Sequence, residues 1–235
     1  MKVYCFASHW DGNAQHLVNS MRNAKLDYHI ELAHPYSWFW TRMVDFEWRM
    51  ARQHPNEWMI FIDLWDSIFV GDADEMWADI QDIAKNRPFL HSDKACWPRP
   101  EQAYMFPPCA SPWKYVNGSG PFGMGWQIAE AIDYGMRNYP IRPKVTGVHP
   151  HDYPRNDNDQ RFWTDLYLDG YVGVDTECRV VQGLPLLKPG ELEYRDGRIH
   201  NTVTGTRPHF LHAADHTWPY IPQEVIDDKS LRPRK

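Results

Sequence analysis

The sequence predicts an α/β protein in which helices flank one sheet. Segments with the spacing of strands and of helices alternate through the first half of the chain, which is typical of a layered α/β architecture. Of the 235 residues, 43% are hydrophobic and 24% are charged, so the chain can bury a sizeable core. It contains no internal repeat, low-complexity segment or linker. We therefore expect one domain over residues 1–235.

The N-terminal elements follow one another as strand and helix. Residues 2–7 form the first predicted strand, and helical spacing follows over residues 14–24. The second strand covers residues 28–32. The second helix covers residues 41–53 and ends before Pro55, which cannot continue a helix.

The third predicted strand is a short apolar run over residues 58–62 that ends at Asp63. Such a continuous run is typical of a parallel strand buried on both faces. A helix over residues 74–85 begins with acidic side chains, which suit the positive end of the helix dipole. A fourth strand is predicted over residues 88–91.

The second half of the chain has a less regular pattern. Residues 96–112 hold five prolines, and residues 115–125 are rich in glycine between apolar residues. The other predicted elements are helices over 126–138 and 159–169, a proline- and histidine-rich loop over 140–156, strands over 179–182 and 208–211, and a hairpin over 192–199 that turns at Asp196-Gly197.

The composition narrows the classes of function. The chain contains 12 Trp, 12 Tyr and 10 Phe, side chains that can stack on bases or on sugar C–H faces. Its net charge of −6 argues against a duplex-DNA binder. Four cysteines without a CxxC spacing indicate free thiols. No apolar run approaches the length of a membrane span and no signal peptide is evident, so we expect a cytoplasmic protein, in a host cytoplasm if the gene is viral.

Asp63 and Asp66 follow the end of the third predicted strand. Ligands of open α/β sheets bind beyond the carboxyl ends of the strands, and two carboxylates there form an oxygen site suited to Mg²⁺ or Mn²⁺. The alternative is that Asp63 caps the next turn and Asp66 is only solvated.

Two further polar segments are candidates for binding a sugar. Residues 115–123 place Asn117 and Ser119 among glycines, so that backbone and polar side chains can approach a ligand closely. Residues 156–160 place several acids before a predicted helix, where one could serve as a base. The alternatives are a tight loop for the first segment and a helix N-cap for the second.

Several histidines lie close together in the sequence. His209, His212 and His216 could form a zinc cluster, although residues three apart on a strand point to opposite faces. A single histidine that joins the aspartate pair on a metal ion is the simpler interpretation. His149 and His151 resemble a metallohydrolase fragment with unusual spacing.

The order of these motifs carries a family resemblance. The acid pair is followed by Cys96-Trp97-Pro98, by residues 115–123 and by residues 157–164, and then by blocks at 178–182 and 198–212. This series over roughly residues 1–215 resembles the glycosyltransferase domain of procollagen lysyl hydroxylases and the related collagen-type galactosyltransferases. The resemblance implies a GT-A fold with a nucleotide-binding half over residues 1–93, an acceptor and sugar half over 94–218 and a tail over 219–235.

The resemblance also implies roles for individual residues. Asp63, Asp66 and His212 would bind Mn²⁺ or Mg²⁺, and catalysis would involve Asn117 with Asp157 or Asp159. Residues implied to bind the donor are Phe6, Ser8, Arg42, Leu64, Trp65, Trp97, Gly118 and Gln160.

The chain departs from the family pattern at two places. Asn158 interrupts the acid-rich run, which leaves both Asp157 and Asp159 as candidates for the catalytic acid. Ala213-Ala214-Asp215 replaces a Gly-Asn-Gly turn after His212.

The sequence therefore predicts a metal-dependent glycosyltransferase. It would transfer a hexose from UDP-glucose or UDP-galactose to a hydroxyl group of a protein side chain, a glycan or a modified nucleobase, with retention and inversion both open. The alternatives are a zinc-dependent hydrolase that uses His149, His151, His209 and His212, and a tryptophan-rich domain that binds carbohydrate without catalysis. Trp65, Trp97, Trp113 and Trp126 are the candidates for stacking.

Overall fold

A computed structural model describes residues 1–7, 10, 12–32, 39–139, 158–214 and 217–231, with the side chains of 39–42 and 230–231 left undescribed. Within these ranges, nine strands form one mixed sheet and two more form a hairpin. The sheet strands are β1 (Lys2–Ala7), β2 (Tyr28–Leu32), β3 (Trp58–Asp63), β4 (Ser67–Phe69), β5 (Phe89–Asp93), β6 (Tyr115–Met124), β7 (Gly173–Val174), β8 (Val181–Gly183) and β11 (Phe210–His212); the hairpin is β9 (Leu192–Arg195) and β10 (Arg198–Asn201).

Helices pack on both faces of the sheet. They are α1 (Gly12–Asn23), α2 (Phe39–Gln53), α3 (Ala73–Ile83), α4 (Gly125–Asn138), α5 (Asp159–Leu168) and a short α6 (Gln223–Ile226). On one face, apolar side chains of α2, α4 and α5 bury those of β3, β5 and β6. On the other face, α1 and α3 bury the alternate residues of β1 and β3. The hairpin covers a third, smaller cluster.

The strand order explains where polar residues gather. It runs β2-β1-β3-β6-β5-β8-β11-β4, with β7 beside β5. Both β3 and β5 are antiparallel to β6, and both β8 and β11 run parallel with β5. As a result β3, β5 and β11 end at the same edge of the sheet, where their last residues are Asp63, Asp93 and His212.

The structure confirms the predicted α/β class, with a mixed sheet flanked by helices as expected for a GT-A architecture. The interpretation of the glycine-rich segment as a loop was wrong, because it forms β6, the longest strand. At Gly120, which has φ 128°, a Cβ atom would lie 2.5 Å from Cβ of Phe61 on β3. Glycine therefore permits the close pairing of these two strands.

Two short strands were not predicted. β4 has three residues and β7 has two, which is too short for a pattern of alternation. All four cysteines are free, as expected. Among the described residues, no helix is both long enough and apolar enough to cross a membrane.

Candidate active site

Asp63, Asp66 and His212 come together at the edge of the sheet. Asp63 ends β3, and Asp66 lies in the short connection to β4. β4 pairs with β11 so that Ser67 lies opposite His212, and the backbone N–H of Ala213 donates to the Asp66 carbonyl. One possible ligand atom from each of the three side chains lies within 4.8 Å of the others.

The His212 ring is buried and faces the carboxylates. Its Nε2 atom lies 3.3 Å from Oδ2 of Asp63, and neither ring nitrogen has a hydrogen bond of good geometry to a described residue. Burial acts to lower the pKa of His212, but Asp63 first, and then Asp66 and Asp93, raise it above its usual value. A buried imidazole without a hydrogen bond beside two carboxylates fits a divalent cation such as Mn²⁺.

These three side chains line one wall of a cleft of about 240 Å³. The remaining walls come from the end of β5, the middle of β6, the start of α5 and the loop after β8. The lining residues are Asp63, Asp66, Asp93, Ala95, Trp97, Asn117, Gly118, Ser119, Asp159, Gln160, Pro185, His212 and Ala214. Of the residues predicted to act at the site, the structure thus brings nine into one cleft.

Asp93 is a site residue that the sequence analysis missed. Its Oδ2 atom accepts a hydrogen bond of 3.4 Å from Nδ2 of Asn117, whose Oδ1 accepts from the Ser119 backbone N–H at 2.9 Å. Burial raises the pKa of Asp93. The sequence did indicate this position, because Asp93 is the last residue of a strand just as Asp63 is. Together Asp93 and Asn117 present acceptors and a donor to the cleft.

The start of α5 supplies the opposite wall. Asn158 caps the helix by accepting from the Arg161 N–H at 3.0 Å, which confirms that an N-cap lies in this segment. Asp159 is buried, and its Oδ1 accepts from the Gln160 N–H at 2.7 Å. Burial, together with the charge of Asp63, raises the pKa of Asp159 well above its usual value.

Gln160 joins the two sides of the cleft. Its Nε2 donates to the carbonyl of Trp97 at 2.9 Å and to that of Val116 at 2.7 Å. One amide hydrogen bond therefore holds the backbone at Trp97 and the other holds that of β6. Trp97 lines the cleft and is 51% exposed.

Glu47 is a second acid that the sequence analysis missed. It is buried on α2, and its pKa is raised well above the usual value by burial and by the charges of Asp159 and Asp63. Its Oε2 has no hydrogen-bond partner among the described side chains. The sequence could have indicated that Glu47 is buried, because it lies four residues after Met43 and so on the same, apolar face of α2.

The other residues predicted to bind the sugar-nucleotide donor are not among the described residues that line the cleft. Phe6 is buried and packs on Phe46, and the Leu64 side chain is buried in the core, so only the Leu64 backbone can reach a ligand. Trp65 is partly buried, and its carbonyl accepts from Trp218 Nε1 at 2.9 Å. Arg42 lies on α2 with an undescribed side chain, and Ser8 and Asp157 lie outside the described residues.

The expectation that Trp113 is a candidate for stacking on a base or a sugar was wrong. Trp113 is fully buried, and its Nε1 donates to the Gly183 carbonyl, so it belongs to the core. Trp126 is exposed, on α4, and does not line the cleft.

The structure separates His209 from His212. Nε2 of His209 lies 2.9 Å from Oδ2 of Asp79 on α3, whereas His212 faces Asp63. Asp63, Asp66 and His212 are the one group of three possible metal ligands in the part of the chain that the structure describes. His149, His151 and His216 lie outside that part.

The comparisons with known proteins concern the chain as a whole. The model of the PLOD GT domain family matches residues 42–221, roughly three quarters of the chain. A solved glycosyltransferase involved in the glycosylation of the major capsid of PBCV-1 is similar over 99% of this chain and 100% of that chain, with a TM-score of 0.49 and 11% identity. The comparison with curated proteins gave no match.

Proposed function

This chain belongs to the PLOD GT domain family, and on that basis we propose that it transfers a hexose, glucose or galactose, from a UDP-sugar to a hydroxyl group. The observation that carries the proposal is the group formed by Asp63, Asp66 and His212 at the wall of a polar cleft. A glycosyltransferase needs a sugar-nucleotide donor and an acceptor, and the cleft offers both charged and hydroxyl-binding groups.

Asp63, Asp66 and His212 would hold Mn²⁺ or Mg²⁺ in this proposal. The cation, when bound, supplies Lewis-acid stabilisation of the diphosphate leaving group. The two carboxylates would bring the negative charge that a divalent cation needs, and the buried imidazole would supply a nitrogen ligand. Phe6, Ser8, Arg42, Trp65 and the backbone of Leu64 are the proposed contacts of the nucleotide.

The transferred sugar and the acceptor would lie between β6 and α5. Asn117, which donates to Asp93, and the backbone at Gly118 would hold sugar hydroxyls, and Trp97 would pack on a sugar face. Asp159 has the raised pKa that suits a general base. If the reaction inverts the anomeric centre, Asp159 takes the acceptor proton; if it retains configuration, Asp159 orients the acceptor. Asp157 is the alternative acid.

A donor panel tests the proposal directly. The purified protein is incubated with UDP-glucose, UDP-galactose or ADP-glucose, with Mn²⁺ or with EDTA, and both the melting temperature and UDP release are measured. We expect a UDP-sugar and Mn²⁺ together to raise Tm, because ligands that bind only the native state stabilise it. We also expect slow donor hydrolysis under the same conditions. Equal effects of ADP-glucose, or no dependence on a divalent cation, would overturn the proposal.

A further inference from the structure

A strained turn follows β8 beside the cleft. The backbone N–H of Leu187 donates to the carbonyl of Leu184 at 3.1 Å, with Pro185 and Leu186 between them. Leu186 has φ 58°, in the left-handed region. Proline at the second position and a positive φ at the third define a type II turn, in which the third residue is usually glycine. A leucine there carries a conformational cost.

Packing against the described residues does not compensate for this cost. The Leu186 residue is 65% exposed, so its side chain gains little from burial. Two other non-glycine residues with positive φ have a local role: Asp196 lies in the two-residue hairpin turn, where aspartate is common, and Lys25 follows α1, where the Leu26 N–H donates to the Met21 carbonyl in a helix C-terminal cap. An exposed leucine that holds this conformation without a gain from burial marks the turn as a candidate for a functional role.

The turn separates the cleft from a second cavity. Pro185 lines the cleft, whereas Leu184 and Leu187 line an open cavity of about 230 Å³. Leu192, Ile199, Leu211 and Tyr220 are among the other residues that line that cavity. An apolar cavity of roughly 150 Å³ is enough to bind benzene, so this one can take an apolar group of at least that size.

Lys94 links the turn to the end of β5, beside the cleft. Its Nζ donates to the Leu186 carbonyl at 3.2 Å, pairs with the carboxylate of Glu191 and lies 4.3 Å from the centre of the Trp113 ring. Lys94 directly follows Asp93, which lines the cleft. Lys94 therefore connects the turn to the end of β5, where Asp93 lines the cleft.

We propose that the Pro185-Leu186 turn is an acceptor-recognition site for amphiphilic alcohols. The reacting hydroxyl lies in the cleft, and an attached apolar group passes over the Leu186 side chain into the cavity lined by Leu184 and Leu187. This inference rests on the proposed function and assigns a substrate class to its acceptor side.

Two matched acceptors test the inference. Phenyl β-D-galactopyranoside and methyl β-D-galactopyranoside carry the same hydroxyl groups and differ only in the apolar group. We expect the wild type to bind the phenyl compound about tenfold more tightly by calorimetry, with a similar preference in the kcat/KM of transfer. In Leu186→Gly the preference falls to less than about threefold, while donor hydrolysis without acceptor is unchanged.

Lys25→Gly provides the matched control. Lys25 is also exposed with a positive φ of 57°, but it lies between α1 and β2, at the edge of the sheet opposite the cleft. Both glycine variants should keep or raise Tm, because both relieve the same strain. An equal affinity of the wild type for the two acceptors, or an unchanged preference in Leu186→Gly, overturns the inference. Absence of donor hydrolysis in the wild type overturns the proposed function instead, because acceptor binding is measured without turnover.

Discussion

The imidazole of His212 faces the carboxylate of Asp63 across 3.3 Å, although these residues lie in opposite halves of the chain. They meet because β3 and β11 end at the same edge of the mixed sheet. Asp66 joins them through the pairing of β4 with β11. The resulting group of two acids and one buried imidazole is the centre on which the proposed chemistry depends.

Asp66→Asn should remove most of the activity and leave the fold intact. Asparagine has the same shape but lacks the charge that holds a divalent cation, so we expect UDP release with Mn²⁺ to fall at least about 100-fold. Asp74→Asn, an exposed acid in the first turn of α3, is the matched control and should have wild-type activity. Mn²⁺-dependent turnover within threefold of wild type in Asp66→Asn would remove this residue from the metal site.

Asp159→Asn should separate donor binding from transfer. The amide oxygen can still accept from the Gln160 N–H, so the start of α5 keeps its structure. The variant cannot take a proton, and we expect kcat for transfer to fall by about 10²-fold or more. The rise in Tm caused by UDP-sugar and Mn²⁺ should persist. Asp165→Asn on the same helix is the control, and similar losses in both variants would contradict a specific role for Asp159.

Gly118→Ala should disturb the cleft through backbone contact. A Cβ atom at this position would lie 2.7 Å from Cβ and 2.9 Å from Cα of Gln160, so α5 would have to shift. We expect a loss of about 1–3 kcal/mol in the free energy of unfolding and about tenfold lower donor hydrolysis. Gly12→Ala is the control, since a Cβ there meets nothing within 4 Å. Wild-type hydrolysis in Gly118→Ala would show that the cleft tolerates this shift.

Asp175 should make the stability of the protein fall between about pH 4 and pH 6. Burial raises the pKa of Asp175 from 3.8 to about 6, so in this range the native state binds more protons than the unfolded state. Stability contributed by the neutral carboxyl is complete below pH 4 and is lost as the pH rises through 6.

Asp175→Asn isolates this effect. Asparagine keeps an oxygen that can accept the Val180 N–H, now bonded at 2.9 Å, and it does not ionise. Chemical denaturation at several pH values should give equal stabilities at pH 4 and a variant more stable by up to about 3 kcal/mol above pH 6. A constant difference across this range would contradict the raised pKa.

Local sequence patterns were enough to predict many of the strands and helices. Alternation and apolar runs predicted β1, β2 and β3 with boundaries within a residue of those observed, and helical spacing predicted α2 and α4 within two residues. The glycine-rich β6 could not be recognised, because its glycines are required by the neighbouring β3, which local propensity does not include.

Sequence alone determined the α/β class and the residue types of the site, because strand and helix periodicity and the placement of acids after strands are local properties of the chain. Only the tertiary structure decided that Asp93 and Asn117 join Asp63 and Asp159 in one cleft, that Glu47 lies buried near them and that His209 pairs with Asp79 instead. The physical reason is that these contacts depend on the order and direction of the strands, which are set by the packing of the whole sheet.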